Sequence, residues 1–384
     1  MNIIDNDLLS IQEARIRAEN AKEAQGKLAT FSQSRLDGIV EAMADEISKY
    51  AKELAILSND ETDYGKWEDK YLKNTFVCAY LRRSIRGMRC VGIIREDREQ
   101  GIMEVGVPMG VIVALCPATS PVSTTIYKAL IAIKSGNAII FSPHQRAAKS
   151  ICKTLDILIA AAEKNGLPEG AISYLRTVTK SGTCELMNHQ ATSLVMNTGV
   201  PSMLEAAYQS KKPLIYGGTG NGPAFIERTA DIPRAVEDIM VSKTFDYGIV
   251  SAAEQFIVVD SKIEREVRAE VIARGGYFMS EEESLRLGEL FFHSDGHINS
   301  QMVGISAKEL AKKAGFSVGD NIRVLVSEQK YVTKDNPYSK EKLCPVLAYY
   351  VEEDWMGACE KCIELILSER HGHTLVIHSR DEEV

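Results

Sequence analysis

Ser251 lies in the run Lys243-Thr-Phe-Asp-Tyr-Gly-Ile-Val-Ser-Ala-Ala-Glu-Gln255, the stretch of this chain that most invites a chemical reading. Its hydroxyl is a candidate nucleophile, but a hydroxyl is far less acidic than a thiol and attacks a carbonyl only with an adjacent base. No nucleophile-elbow motif with Ser-His-Asp order accompanies it, and neither paired carboxylates nor a Walker loop points to other chemistry. Upstream, Gly217-Gly-Thr-Gly-Asn-Gly-Pro223 is glycine-dense, which permits a tight strand-to-loop turn. Cys359-Glu-Lys-Cys362 is a CxxC with no second CxxC and no His pair of zinc-finger spacing. It reads as two cysteines on the amphipathic helix Met356–Leu367. His371-Gly-His373 lacks a third ligand at sensible spacing, so no metal is expected. The GxGxxG dinucleotide fingerprint does not follow an early strand.

These residues need a scaffold, and the apolar periodicity supplies one. Leu8, Leu9 and Ile11, then Ile39, Met43, Ile47, Leu54 and Leu57 recur at helical spacing, predicting two or three surface helices that end near Ser58. A further helix fits residues 66–91, and 101–110 reads as turn and short strand. Strands at 111–116, 138–141, 172–175, 194–196 and 214–216 then alternate with helices at 124–134, 146–165, from 181, and 201–209. A second set follows residue 223, with helices over 232–242, 262–273, 281–290 and 306–314, and strands over 255–259, 323–326 and 346–351. Such alternation predicts an α/β fold with parallel sheets covered on both faces. The domain boundary is placed near residue 224. Leu375-Val-Ile-His378 reads as a strand entering a helix not reached by Val384, so the second domain is expected to be truncated at its C-terminus.

Bulk properties narrow the class. At 384 residues the default is a two-domain soluble enzyme. A net charge of −8 gives no support to a nucleic-acid surface. No apolar run approaches the roughly 18 residues a membrane helix needs, and the N-terminus lacks the basic start and apolar core of a signal peptide. Eight cysteines without a disulfide-like rhythm suit a reducing cytoplasm.

Six motifs in order resemble the CoA-acylating branch of the aldehyde dehydrogenase superfamily. They are Ser120-Pro-Val-Ser-Thr124, Lys134-Ser-Gly-Asn-Ala-Ile-Ile-Phe-Ser-Pro-His144, Asn197-Thr-Gly199, Gly217–Pro223, Lys243-Thr-Phe-Asp246 and Glu341-Lys-Leu-Cys-Pro-Val346. The resemblance covers nearly the whole chain. It extends to stand-alone acylating acetaldehyde-type enzymes and to the aldehyde dehydrogenase half of bifunctional aldehyde-alcohol dehydrogenases.

It implies two Rossmann-like three-layer domains of the aldehyde dehydrogenase fold, 1–224 binding the dinucleotide and 225–384 catalytic. Ser251 then stands where relatives place the nucleophilic cysteine, and Thr119 where they place an oxyanion donor. Ser142, Pro143, His144, Thr198, Gly199, Gly217, Gly218 and Glu341 fall at cofactor-binding positions, Glu341 at that of the nicotinamide ribose. Hydrolytic relatives carry a glutamate at the Gly217 position that activates water. Water, with a pKa of about 15.7, needs such a base; a thiol at roughly 8.5 does not.

The implied reaction takes a small aldehyde, NAD or NADP, and CoA as acyl acceptor. The implied state is a cytoplasmic homo-oligomer in the full-length form, with a bacterial microcompartment as a possible residence. Replacement of the thiol by Ser251 implies an inactive or trapped chain; the alternative is a non-catalytic protein of this fold that binds nucleotide or partner subunits.

Overall fold

The computed structural model describes residues 5–368 and 374–384. His371, His373 and the first four residues of the N-terminal run lie outside them. The chain divides into two compact units, one of Met1–Thr62 with Trp67–Gly217, the other of Asp63–Lys66 with Gly218–Val384.

The first unit opens with three helices, Asn6–Leu28, Gln33–Ser48 and Ala51–Thr62. Asp5 caps the first by accepting from the Asp7 and Leu8 N–H groups, satisfying donors that a helix start leaves unpaired. The helix expected over 66–91 is instead Trp67–Phe76, a π turn at Val77–Leu81 and a short turn ending at Ile85. Strands β1 (Gly92–Asp97) and β2 (Ile102–Gly106) form an antiparallel hairpin. Sequence reading missed β1 because its residues are nearly all exposed, so burial imposes no alternation on it.

Strands β3 (Val111–Leu115), β4 (Ala138–Ser142), β5 (Ile172–Tyr174), β6 (Thr192–Thr198) and β7 (Leu214–Gly217) make a parallel sheet of order β5-β4-β3-β6-β7. Every residue of β3 and β4 is buried, as strands covered on both faces require.

Among the described residues, the second unit holds a six-stranded parallel sheet. Its strands are β8 (Gly222–Ile226), β9 (Glu254–Asp260), β10 (Gly276–Phe278), β11 (Val324–Glu328), β12 (Val346–Glu352) and β13 (Val376–His378), in the order β10-β11-β12-β9-β8-β13. Phe225, Phe256 and Val258 enter one apolar core, while Ala224, Ile226, Ile257 and Val259 enter the other, the period of two that a sheet covered on both faces dictates. β8 was not expected, because Gly222-Pro223 reads as loop. Its register shifts between those two residues, a bulge that tolerates a proline in an interior strand. Pairing of β8 with β9 also explains why the units divide after Gly217 rather than at 224.

Candidate active site

In the first unit the expected cofactor residues line the carboxyl edge of the parallel sheet. Ser142 ends β4 and pairs with Leu115, the last residue of β3; Asn197, near the end of β6, pairs with Leu115 on its other side; Thr198 pairs with Gly217 at the end of β7. Strand order reverses at β3, and ligands of open α/β sheets bind in the crevice outside the carboxyl ends at such a switch point.

The backbone there comes close enough that only glycine fits. Gly199 has φ +63°, and a Cβ on it would lie 2.8 Å from Pro117 Cβ. Its N–H donates to the Gly217 carbonyl at 3.3 Å. Lys128, fully buried, donates from Nζ to the carbonyls of Leu115 (2.6 Å) and Met196 (2.9 Å), tying β3 to β6 at the crevice. Burial pushes its ammonium down to about 8.

Individual side chains divide by role. Ser142 is committed to a hydrogen bond with the Thr183 hydroxyl at 2.8 Å. Pro143 is buried. His144 caps the next turn, its Nδ1 accepting the Arg146 N–H at 3.1 Å. Burial and then the Arg146 charge pull the imidazole below its ordinary value, which keeps it neutral and able to accept. The Thr119 carbonyl accepts from the ammonium groups of Lys70 (3.2 Å) and Lys73 (3.4 Å), and Lys73 also donates to Ser120 Oγ at 2.7 Å. Among the described residues the Thr119 hydroxyl has no partner, leaving it open as a donor.

In the second unit the gathering point is the amino edge of the sheet. Gly220, Ser251 and Glu341 each precede one of three adjacent strands, β8, β9 and β12. They meet closely: a Cβ on Gly220 would lie 1.5 Å from the Ser251 carbonyl oxygen, and the Gly220 N–H donates to Glu341 Oε1 at 2.8 Å. Gly218 opens this loop.

The turn before Ser251 is held by force. Asp246 (φ 50°) and Tyr247 (φ 52°) both occupy the left-handed region, which costs non-glycine residues about 1–3 kcal/mol each. Asp246 Oδ1 offsets part of this by accepting the Lys66 N–H at 2.7 Å, and the Lys66 ammonium sits 4.9 Å from the Tyr247 ring centroid.

Beneath the loop, Lys243 Nζ donates to Gln255 Oε1 at 3.0 Å, and the same oxygen accepts the Lys342 N–H at 3.2 Å. Burial pushes the Lys243 ammonium down to about 8, against the pull of Cys344, Glu254 and Glu341. Burial likewise pushes the Cys344 thiol up to about 11, which makes it an unsuitable nucleophile. The Ser251 hydroxyl has no hydrogen-bond partner among the described residues, so no base activates it there.

Sequence reasoning did not single out Gly220, nor the role of Asp246 in holding the turn. The signal for the first was present in the glycine run. Cys359 and Cys362 lie on the helix Trp355–Ser368, Cys362 buried and Cys359 half-buried.

Comparison with known proteins adds an independent line. The pattern of the aldehyde dehydrogenase family matches residues 7–278. A probable aldehyde dehydrogenase from Listeria monocytogenes EGD-e superposes with a TM-score of 0.96 at 46% identity, covering 99% of this chain and 84% of that one. An acetylating aldehyde dehydrogenase from Geobacillus thermoglucosidasius gives 0.95 at 41% identity, with 99% and 84% covered. A bifunctional aldehyde-alcohol dehydrogenase of Escherichia coli (strain K12) is 36% identical over 370 residues. That match covers 96% of this chain and 41% of that protein, so the chain spans about two fifths of this relative's length.

Proposed function

The chain belongs to the aldehyde dehydrogenase family, and from that premise we propose that its site is built for CoA-acylating oxidation of a small aldehyde, with Ser251 in the place of the nucleophilic cysteine. Convergence of Gly220, Ser251 and Glu341 at one sheet edge carries this reading, because motifs far apart in sequence then serve a single site. The acetylating relative supports CoA as the acceptor.

In this reading the first unit is the dinucleotide-binding domain and the second the catalytic one. The carboxyl edge, where Gly199 admits no Cβ, suits a dinucleotide, and Ser142, Pro143, His144, Thr198, Gly199 and Gly217 are its proposed cradle; Gly218, at the head of the second unit's loop, is proposed as a cofactor contact by the resemblance alone. NAD(P)+, when bound, takes up the hydride. Glu341 would orient it through the ribose, while its other task is to hold Gly220.

A cysteine at 251 would add its sulfur to the aldehyde carbon, giving a thiohemiacetal, and loss of hydride would leave an enzyme thioester. The CoA thiolate then attacks that carbonyl, the enzyme sulfur leaves, and acyl-CoA departs. Backbone N–H groups beside residue 251, with the Thr119 hydroxyl, are the proposed oxyanion donors. Gly217 supplies no base for water, so the thioester waits for a thiol. With Ser251 the first step stalls, since a hydroxyl without a base does not add.

The test is NADH formation from acetaldehyde by the Ser251→Cys protein, with and without CoA. Turnover that depends on CoA is the expected result; turnover indifferent to CoA overturns the acylating reading. The unpartnered Ser251 hydroxyl also favours a second reading, a non-catalytic member that binds nucleotide or partner subunits. That reading predicts saturable NAD+ binding with no turnover even in the cysteine variant. Cytoplasmic residence, homo-oligomeric assembly and the choice among small aldehydes belong to the same proposal. Among the described residues, no helix is long and apolar enough to cross a membrane.

A further inference from the structure

Gln255 is an uncharged polar side chain on an otherwise apolar face. It is the second residue of β9, and the alternation of a strand puts it on the side of Ile257 and Val259. Those two pack with Val236, Ile239 and Met240 of the helix Ile232–Thr244. Gln255 is fully buried, and a carboxamide left unpaired there would be costly. Its bonds lead instead to the candidate site. Oε1 accepts the Lys243 ammonium at 3.0 Å and the Lys342 N–H at 3.2 Å, while Nε2 donates to the Ala253 carbonyl at 3.3 Å. Only one orientation of the amide serves, because turned round it would set donor against donor and oxygen against carbonyl.

Each end of that amide holds one arm of the site. Ala253 closes the turn that presents Ser251, its N–H donating to the Val250 carbonyl at 2.9 Å. Lys342 follows Glu341, whose Oε1 accepts the Gly220 N–H at 2.8 Å, and Gly220 packs back on the Ser251 carbonyl. The contacts form a closed ring, from the Ser251 turn through Gln255, Lys342 and Glu341 to Gly220 and back. Gln255 is the buried side chain through which the turn reaches the Glu341 segment.

We propose that Gln255 is a positioning residue for the acylating reaction, setting the Ser251 turn with its amide N–H and the Glu341 segment with its oxygen. The assignment rests on the proposed reading of residue 251 as the nucleophile position and of Glu341 as a cofactor contact.

The test compares Gln255→Glu and Gln255→Met in the Ser251→Cys protein at pH 7, below the value of about 8 to which burial lowers the Lys243 ammonium. The glutamate variant keeps an acceptor for Lys243 and Lys342 but has no N–H for Ala253; the methionine variant keeps neither. Two quantities are read: the rate at which iodoacetamide alkylates the thiol at position 251, mapped by mass spectrometry, and Kd for NAD+ by isothermal titration. Both variants should alkylate about tenfold more slowly, the scale of one lost hydrogen bond, and CoA-dependent kcat should fall with it. One variant adds a charge and the other does not, so a shared slowing reports the turn. Kd for NAD+ should stay within about twofold of the parent in Gln255→Glu and rise about tenfold in Gln255→Met. A purely structural loss would move both quantities in both variants, and that result overturns the proposal, as does unchanged alkylation in either. Absence of saturable NAD+ binding by the Ser251→Cys protein overturns it too. If that protein binds NAD+ yet makes no NADH, the acylating reading fails, while the split between the two quantities still decides what Gln255 positions. Should Gln255→Met fail to fold, Gln255→Glu decides alone, by slowed alkylation at an unchanged Kd.

Discussion

A single methyl group tests the geometry around residue 251. Because a Cβ on Gly220 would lie 1.5 Å from the Ser251 carbonyl oxygen, Gly220→Ala must displace that loop or break the bond to Glu341. The expected cost is about 2–3 kcal/mol, read as a lower denaturant midpoint. In the Ser251→Cys background it should also lower acylating turnover more than tenfold.

Gly217 is the contrast. A Cβ there meets nothing nearer than Thr198 Cγ2 at 3.6 Å, an ordinary contact. Gly217→Ala should therefore stay within about 0.5 kcal/mol of the parent. Gly217→Glu, again with cysteine at 251, should divert some acyl flux from CoA to water, measured as free carboxylic acid formed without CoA. An unchanged CoA requirement would count against Gly217 as the vacant base position. Glu341→Gln weakens the charge-assisted bond to Gly220, and KM for NAD(P)+ should rise more than KM for aldehyde.

The helices and strands show which features the sequence made legible. Buried strands such as β3 and β4 are unbroken apolar runs between turn signals, and nothing else in the chain competes with that reading. The first helix was found, but its buried face was not. Leu8 and Leu9 suggested an apolar stripe, yet they are 65% and 44% exposed, while Ala14, Ala18, Ala21, Ala24 and Leu28 are buried. Small residues let this helix approach Lys180–Asn188 closely, and a Cβ on Gly182 there would come 1.9 Å from Ser10 Oγ. Alanine carries little hydrophobic signal, so close packing of this kind is invisible to periodicity. Ala18→Leu should cost about 1–3 kcal/mol by overpacking, whereas Leu8→Ala should cost less than about 0.5 kcal/mol. Thermal melts of the two variants would separate these outcomes.

The candidate site was legible as motifs, since chain order preserves them, but their meeting was not. That Gly220 touches Ser251 depends on β8 lying beside β9, and Gly222-Pro223 disguised β8 as a loop. The Asp246–Lys66 bond is similarly long in range and leaves no local trace.

Across the whole molecule one device recurs: each unit buries a lysine that pins strand ends near its candidate residues. Lys128 joins β3 to β6, and Lys243 holds Gln255 at the start of β9. Both ammonium groups are pushed by burial from 10.5 down to about 8. In the unfolded chain they keep their protons to about 10.5, so above pH 8 the unfolded state binds more protons than the folded one. Their contribution to stability then rises with pH from about 8, by at most about 1.4 kcal/mol per unit per lysine.

Thiols act in the opposite sense. Buried Cys78 and Cys344 and half-buried Cys152 are raised from 9.0 to about 11 and buried Cys362 to about 12, and Cys116 and Cys184 are raised too. The unfolded state therefore loses those protons first, and this contribution to stability falls from about pH 8 upward. The two effects overlap between about pH 8 and 9, so the lysine contribution is read as a difference. Urea midpoints of the parent chain should gain on those of the Lys128→Met, Lys243→Met double variant as the pH rises through that window. A constant difference would mean that these ammonium groups stay charged in the folded state, compensated by the carbonyl and amide oxygens they bind.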